Sequence, residues 1–520
     1  MPTIMRPTSS SLTAIVWSAI ALLGVARPAA AASCESLASL SLPAVTVTAA
    51  TSVAAGAFAP PAAVGRGSGI RGAGPTSFSE LPAFCRVAAT LRPSADSDIK
   101  IEVWLPAAGW NGKLEAVGNG GWAGTISYPA LGTAIAAGYA SASTDTGHVG
   151  GSGSFALGHP EKLIDFGYRA VHEMTVAAKA MTTAFYGEGP KRLYWNGCST
   201  GGKQGLAEAQ RYPADFDGII AGASANAMMR IHVAALWIGL AVHGDDASYI
   251  PPEKYRTIHD AVMGACDAID GVKDGLIADP RRCRFDPKTL ECRQGDGPSC
   301  LTARQVDAAR KIYAAVRNPR TGKDIAPGLE PGSELGWAFL AGPQPTSVAL
   351  DTFKYIVFEN PAWNFHAFNF DTDVARADAV DRGTNNALDP NLRPFFDRGG
   401  KLLMYHGWSD PNIAPRNSIE YYGSVQKALG GESKTRESMR LFMFPGMAHC
   451  GGGEGPNSFD AIGALDRWVE NHQAPDQILA SHRSSGVVDR TRPVCAYPQV
   501  AAYRGAGSID DAASFVCRAP

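Results

Sequence analysis

A serine flanked by glycines is the first residue whose setting suggests chemistry. Residues 197–201 read Gly-Cys-Ser-Thr-Gly, a G-x-S-x-G motif between the apolar run KRLYWN and a segment rich in Gln, Ala and Leu. Where this motif joins a strand to a helix, the sharp turn lifts the serine hydroxyl out of the sheet, beside a helix N-terminus that favours developing negative charge. The pattern predicts Ser199 as the nucleophile of an acyl-transfer reaction, although the pentapeptide alone also occurs in ordinary turns.

A serine hydroxyl needs a base, and the base needs a carboxylate that orients it. Asp410 follows the apolar run KLLMYHGWS and precedes Pro411, and His449 follows the run RLFMF and a Pro-Gly turn. Both positions therefore correspond to the carboxyl ends of strands, where sheets of this class hold catalytic groups. The order Ser199, Asp410, His449 along the chain is the order found in α/β-hydrolases.

Cysteines distinguish His449 from the other histidines of the chain. The ten cysteines all follow residue 32, as expected for disulfides formed in an oxidising compartment, and no zinc-ligand spacing is present. Spacing predicts the pairs Cys34–Cys85, Cys266–Cys283, Cys292–Cys300 and Cys495–Cys517. The remaining two, Cys198 and Cys450, adjoin the candidate nucleophile and base, so a bridge between them would bring both loops together. The alternative is that they are two unrelated structural cysteines.

Composition excludes several classes of protein. Of the 520 residues, 45% are hydrophobic and 18% are charged, which excludes a disordered or fibrous chain. A formal charge of −2 and the lack of any Lys/Arg block argue against a nucleic-acid partner.

The N-terminal segment has the pattern of a signal peptide. Arg6, the apolar run at 12–26 and the small residues before Ser33 predict a signal peptide over 1–32. The alternative, an N-terminal membrane anchor, requires about 20 apolar residues.

Apolar segments alternate between strand-like and helix-like patterns on both sides of a long interruption. Strands are predicted near 99–106, 113–121, 191–197, 216–224, 401–410 and 440–450, and helices at 161–186, 200–211 and 459–471. The segment 33–75 is consistent with strands and loops at a sheet edge. We therefore expect an α/β-hydrolase core, formed by 33–224 and 392–520, with a large inserted lid domain at 225–391.

The sequence resembles the tannase and feruloyl esterase family over nearly all of the chain after residue 32. This family of secreted α/β-hydrolases also includes mono(hydroxyethyl) terephthalate hydrolases. The resemblance is carried by the motifs GNGGWAG at 118–124, TDTGH at 144–148, WNGCSTGG at 195–202, YPADFDG at 212–218, HGWSD at 406–410 and GMAHC at 446–450. The family's Cys-Ser, Asp and His-Cys arrangement matches Cys198-Ser199, Asp410 and His449-Cys450, in agreement with the roles inferred from the residues.

An oxyanion intermediate requires two backbone donors. One is expected to be the N–H of Thr200, directly after the nucleophile, and the other an N–H of the glycine-rich loop at 118–124. Gly120 is the first choice and Gly121 its rival. A simple flexible turn at this loop is compatible with the same role.

Three carboxylates within eight residues of the insertion suggest a hard cation such as Ca²⁺. The pattern alone fits a solvated acidic turn equally well. The resemblance implies a structural calcium site formed by the side chains of Asp267, Asp270 and Asp274 and the carbonyl groups of Val272 and Leu276. No organic cofactor is expected.

The insertion matches the family's lid, which covers the active site. Its aromatic residues are candidates for stacking on an aromatic acyl group, although each could equally belong to the lid's core; they are Trp337, Phe353, Trp363, Phe365 and Phe368. Ile413, three residues after Asp410, is expected to border the pocket. The lid arginine that binds a free carboxylate in terephthalate monoester hydrolases has no identifiable counterpart.

We therefore expect a secreted or periplasmic serine carboxylic-ester hydrolase that cleaves small esters of aromatic acids, feruloyl or galloyl, through an acyl-enzyme. Neither nucleic acid nor a membrane is expected as a partner, and the oligomeric state is left open. A terephthalate-monoester hydrolase, a peptidase on the same scaffold and a non-catalytic, calcium-dependent aromatic-binding protein are the alternatives.

Overall fold

The computed structural model describes residues 32–61 and 78–520. The predicted signal peptide lies outside these residues except for Ala32. No helix in the described ranges combines the length and the apolar character needed to cross a bilayer.

Short strands alternate with helices over most of the described chain. The strands are β1 (Val45–Val53), β2 (Phe84–Leu91), β3 (Ile99–Pro106), β4 (Lys113–Val117), β5 (Ala140–Thr144), β6 (Arg192–Cys198), β7 (Gly218–Gly222), β8 (Val316–Arg317), β9 (Asp324–Ala326), β10 (Lys401–Gly407), β11 (Met439–Phe444), β12 (Ser458–Phe459), β13 (Gln477–Ser484), β14 (Val487–Cys495), β15 (Val500–Tyr503) and β16 (Phe515–Arg518). The helices are α1 (Tyr128–Ala136), α2 (Pro160–Ile164), α3 (Ala170–Tyr186), α4 (Thr200–Arg211), α5 (Met228–His243), α6 (Tyr255–Cys266), α7 (Ala303–Tyr313), α8 (Ala338–Ala341), α9 (Ser347–Asp351), α10 (Thr372–Asp381), α11 (Arg393–Phe396), α12 (Arg416–Leu429), α13 (Glu432–Arg436) and α14 (Ala461–Asn471).

Within the described ranges, nine strands form the main sheet in the order β1-β2-β3-β5-β4-β6-β7-β10-β11. The pairs from β1 to β5 are antiparallel, and β5-β4-β6-β7-β10-β11 are parallel. The edge strand predicted near the N-terminus is present as β1. Because the parallel strands share one direction, the carboxyl ends of β4, β6, β10 and β11 all lie at the same edge of the sheet.

Helices cover both faces of the parallel strands, and alternate side chains face opposite ways. Trp195 in β6 and Met404 in β10 pack with α3, α4 and α12, whereas Tyr194 and Tyr405 on the same strands pack with α14. Most side chains of these strands are apolar because neither face meets water, although β5 (ASAST) carries buried hydroxyl groups. The helix predicted over 161–186 is present as α2, a π-helical turn and α3.

Residues 225–391 contain a second apolar core, mostly helical, in which α5 contacts α7, α8, α9 and α10. The short strands β8 and β9 form a separate hairpin there. The limits of the lid domain remain a prediction.

All ten cysteines lie in the described residues and are paired. The pairs are Cys34–Cys85, Cys198–Cys450, Cys266–Cys283, Cys292–Cys300 and Cys495–Cys517, the same pairs that the sequence predicts.

Candidate active site

Ser199 lies in the turn between β6 and α4, with backbone angles of φ 63° and ψ −123°. This conformation is rare for a residue with a side chain and carries strain, as expected at a functional turn. The glycines of the motif allow close packing here, because a Cβ on Gly197 would lie 2.3 Å from the carbonyl oxygen of Gly201. The Ser199 N–H donates to the carbonyl of Gly222 at 2.9 Å, which fixes the turn on β7.

His449 and Asp410 meet at the same edge of the sheet. His449 follows β11, Asp410 follows β10, and His449 Nδ1 lies 2.7 Å from Asp410 Oδ2. Because a carboxylate only accepts, Nδ1 carries the proton and Nε2 is left as the basic nitrogen. His449 is partly exposed, whereas the Asp410 side chain is completely buried.

The Asp410 carboxylate is held from several sides. Its Oδ1 accepts from the N–H groups of Asn412 at 2.8 Å and Ile413 at 3.0 Å. Burial alone would raise the pKa of Asp410, but the charges and hydrogen bonds of His449 and His406 outweigh burial and hold this pKa below its usual range. The carboxylate is therefore ionised at neutral pH and able to orient His449.

His406 is a supporting residue that sequence reasoning missed. It is completely buried, and its Nε2 donates to Asp410 Oδ2 at 2.9 Å and to the Ile413 carbonyl at 3.1 Å. The Ser418 hydroxyl lies 2.8 Å from its other ring nitrogen and fixes the ring. A usable signal was its position four residues before Asp410 in the HGWSD motif.

The Cys198–Cys450 disulfide joins the residue before Ser199 to the residue after His449 across 252 positions, with Cα atoms 5.9 Å apart. Ser199 and His449 line one cavity of about 490 Å³, together with Gly120, Gly121 and Thr200. The structure thus brings together the predicted nucleophile, base and oxyanion-hole residues. Thr200 is the first residue of α4, where a backbone N–H has no partner within the helix.

The glycine-rich loop after β4 is tied to its surroundings at several points. The Thr200 hydroxyl donates to the Gly121 carbonyl at 2.9 Å, and His148 Nε2 donates to the Trp122 carbonyl at 2.7 Å. The Trp122 indole N–H donates to the carbonyl of Val348 at 2.9 Å, which links this loop to the insertion. The loop is therefore held on α4 on one side and on the insertion on the other.

The stacking residues predicted in the insertion are not in this cavity. Trp337 is completely buried and packs on Tyr255 and Tyr313, and Trp363 stacks on Phe358 with ring centroids 5.0 Å apart. Phe353, Phe365 and Phe368 are likewise absent from the cavity lining. The structure therefore places Trp337 and Trp363 in the insertion's apolar core and not in the lining of this cavity, contrary to the expectation that they bind substrate.

Other side chains of the insertion line the cavity instead. Ile413 borders it as predicted, and the insertion contributes Phe339, Val348 and His232. Phe339 lies two residues after Trp337 at α8, and residues two apart on a helix point to nearly opposite sides. Burial lowers the pKa of His232 to about 4, so this ring is neutral at physiological pH.

The predicted calcium loop has a donor set suited to a hard cation, but its carboxylates also have other partners. Burial and the charges of Asp274 and Asp267 raise the pKa of Asp270 to about 6, so the three acids interact. Asp267 accepts from the N–H of Gly275 at 3.0 Å, and Arg492 lies 2.8 Å from Asp274 Oδ2. Val272 and Leu276 lie on the same loop and are mostly buried. The residues fit calcium by type, and the site remains a prediction.

A more compact group of possible ligands lies elsewhere. Among the described residues, His172, Glu208 and Asp215 form the one group of three whose ligand atoms all lie within 4.8 Å of one another. Burial and the neighbouring Asp215 raise the pKa of Glu208 well above its usual value. His172 Nδ1 lies 2.6 Å from Asp215 Oδ2, whereas neither buried oxygen of Glu208 has a hydrogen-bond partner within the described part of the chain.

The parallel sheet, the strained serine and the His–Asp pair at its carboxyl edge define an α/β-hydrolase core with a large insertion. A profile of the family described as Tannase and feruloyl esterase matches residues 85–518. An uncharacterised esterase of Xanthomonas campestris pv. campestris is 39% identical over 94% of this chain and 91% of its own. A probable feruloyl esterase B-2 of Aspergillus terreus is 34% identical over 85% of this chain and 88% of its own.

The solved structures agree with these relatives. The crystal structure of feruloyl esterase B from Aspergillus oryzae superposes with a TM-score of 0.86 at 31% identity, covering 93% of this chain and 99% of that one. The chain belongs to the tannase and feruloyl esterase family and is a carboxylic ester hydrolase.

Proposed function

We propose that this enzyme hydrolyses esters of aromatic acids through an acyl-enzyme formed on Ser199. The observation that carries the proposal is the disulfide beside Ser199 and His449, which joins the two loops at a single cavity. The fold match and the family's relatives support the same reaction class.

In the first half of the reaction, the Ser199 oxygen attacks the ester carbonyl carbon while His449 Nε2 takes the hydroxyl proton. The N–H groups of Thr200 and Gly120, or of its neighbour Gly121, stabilise the resulting oxyanion. The bond to the alcohol oxygen then breaks, and His449 returns its proton to the leaving alcohol. Asp410 keeps the imidazole in the required tautomer and stabilises its charged form.

In the second half, water replaces the alcohol. His449 takes a proton from the water as its oxygen attacks the acyl carbon, and the proton returns to the Ser199 oxygen when the acyl bond breaks. The products are a carboxylic acid and the free enzyme. No metal or organic cofactor enters either step.

The cavity favours a neutral aromatic acyl group such as feruloyl or galloyl. Its walls include Trp122, Met228, Phe339 and Val348, which supply apolar and aromatic contact. No lysine or arginine of the described chain lines this cavity, so a substrate carboxylate would be buried there without a lysine or arginine to pair with. This argues against a terephthalate monoester, although Arg230 lines an adjoining cavity that shares Ile413.

Ser199→Ala tests the proposal. The variant should fold normally but lose turnover of methyl ferulate and methyl gallate, as well as labelling by a fluorophosphonate probe, because it lacks the nucleophilic oxygen. Ser484→Ala, at an exposed serine, is the matched control and should behave as wild type. Retained turnover in Ser199→Ala would contradict the assignment, and a wild-type enzyme that resists the probe would favour a binding protein.

The proposal includes a structural calcium ion at the loop containing Asp267, Asp270 and Asp274, which would neutralise the crowded carboxylates. Protein purified in Ca²⁺ and desalted should retain about one equivalent of calcium by elemental analysis, and chelation should lower its melting temperature. Asp270→Asn should reduce the retained calcium. Wild-type protein with no bound calcium and no response to a chelator would refute the site.

Export to the periplasm or the medium is proposed as well, since five disulfides require an oxidising compartment. The expected mature N-terminus is near Ser33. Recovery of the intact chain from the cytoplasm alone would contradict export.

A further inference from the structure

A buried histidine of the insertion lies between two glutamates behind the active site. His259 of α6 has Nδ1 2.8 Å from Glu334 Oε2 and Nε2 2.9 Å from Glu454 Oε2. The side chains of His259 and Glu334 are 5% and 0% exposed, and that of Glu454 is 44% exposed. Since carboxylates only accept, both ring nitrogens carry protons and the ring is a cation.

The two glutamates belong to different parts of the molecule. Glu334 lies in the insertion with His259, whereas Glu454 follows β11 in the loop that carries His449. This loop is folded back on itself, because the Ala448 N–H donates to the Gly452 carbonyl and the Gly455 N–H to the Gly446 carbonyl, each at 3.1 Å. A displacement of Glu454 is therefore transmitted to the backbone that flanks His449.

Packing between this loop and the insertion leaves a gap beside the ion pair. A cavity of about 60 Å³ lies at the contact and is lined by His259 and Glu454 together with Gly446, Ala448 and Pro411. The ion pair between His259 and Glu454 therefore joins the loop to the insertion at a place where apolar side chains do not fill the space between them. On its other side, the same loop is held by the disulfide at Cys450.

The surrounding charges keep the ring protonated. Burial opposes the charge, but the hydrogen bonds and charges of Glu334 and Glu454 outweigh burial and raise the pKa of His259 to about 9. Glu334 also accepts from the Tyr313 hydroxyl at 2.7 Å and from the Gly332 N–H at 2.8 Å. The other charges nearby are Arg256, 3.3 Å from Glu454, and Asp260, 3.5 Å from Arg256.

We propose that the His259–Glu454 ion pair is a positioning device through which the insertion sets the orientation of His449 relative to Asp410 and Ser199. The inference rests on the proposed role of His449 as the general base. The insertion thereby contributes to the chemical step as well as covering the cavity, because it holds one of the two loops that must meet.

Glu454→Ala tests this role with little risk to folding, because the side chain is partly exposed. A small displacement of a catalytic base reduces the chemical step, so kcat on methyl ferulate should fall roughly tenfold while KM changes less than about twofold. Glu454→Gln, which keeps a hydrogen-bond acceptor, should restore part of kcat. The matched control is Asp489→Ala on the β13–β14 hairpin. This variant also removes a histidine–carboxylate pair, because His482 Nδ1 lies 2.7 Å from Asp489 Oδ1, and it should leave kcat unchanged.

The pH profile provides a readout that a merely structural role would not affect. The ion pair is present at lower pH and is lost as the pH rises through about 9, where His259 deprotonates. Wild-type kcat should therefore decline above about pH 9. Glu454→Ala should lack this decline, because the pair is already absent.

Wild-type kcat in Glu454→Ala, or a reduced kcat with the same alkaline decline, would overturn the inference. If Ser199→Ala is inactive while Glu454→Ala has full activity, only the inference fails. If Ser199→Ala retains turnover, the proposed function fails first.

Discussion

The catalytic edge of the sheet and the insertion place their functional residues in different ways. At the edge, Ser199 directly follows β6, and Asp410 and His449 lie in the loops after β10 and β11. Backbone hydrogen bonds, tight glycine contacts and the Cys198–Cys450 disulfide hold these loops in place. In the insertion, Trp337 and its neighbouring rings form a core, and the cavity is lined by side chains such as Phe339 and Val348. Motifs thus locate the chemistry, whereas the packing of the insertion decides the pocket.

Removing one disulfide from each region tests this contrast most strongly. The double variant Cys198→Ala/Cys450→Ala removes the disulfide that closes a loop of 252 positions. On the loop-entropy model its free energy of unfolding should fall by about 5 kcal/mol. Its kcat should also fall, because the two catalytic loops are no longer joined. Denaturant unfolding and kinetics on methyl ferulate measure the two effects.

The matched control is Cys292→Ala/Cys300→Ala in the insertion, a closure of only 8 positions that should cost about 2–3 kcal/mol. Its kcat should be unchanged. Equal kinetic effects in the two double variants would show that the disulfide at the active site has no special geometric role.

Trp337→Ala should be the next largest change. The buried ring packs on Tyr255 and Tyr313 and donates to the Ser333 hydroxyl at 3.0 Å, so its loss should cost about 3–5 kcal/mol of unfolding free energy. The KM of the fraction that remains folded should stay close to wild type. A raised KM with an unchanged free energy of unfolding would instead indicate that Trp337 contacts the substrate.

Phe339→Ala, two residues along, should show the opposite pattern with the smallest effect. The ring is 45% exposed and lines the cavity, so stability should change by less than about 1 kcal/mol. Loss of one aromatic contact, worth about 0.5–1.5 kcal/mol, should raise KM for methyl ferulate by roughly two- to tenfold. An unchanged KM would exclude Phe339 from substrate contact.

Sequence patterns predicted the sheet better than the insertion for a physical reason. Parallel strands buried on both faces are mostly apolar, and the helices between them keep their 3.6-residue period. For this reason β6, α4 and β10 were predicted to within a few residues. In the insertion, an aromatic side chain serves equally well in a core or in a pocket wall. Local sequence therefore did not show that Trp337 lies in the core whereas Phe339 lines the cavity.

By itself, the sequence determined the family, the ester-hydrolase class and the α/β-hydrolase core, because these follow from local motifs and chain order. Spacing predicted four cysteine pairs, and the structure excluded the alternative to the fifth, Cys198–Cys450. The roles of Ser199, Asp410 and His449 remain predictions that the geometry supports. Only the tertiary structure placed His406 behind Asp410, Phe339 in the cavity and His259 against Glu454. Each of these depends on contacts between side chains whose directions are fixed only when separate elements pack together.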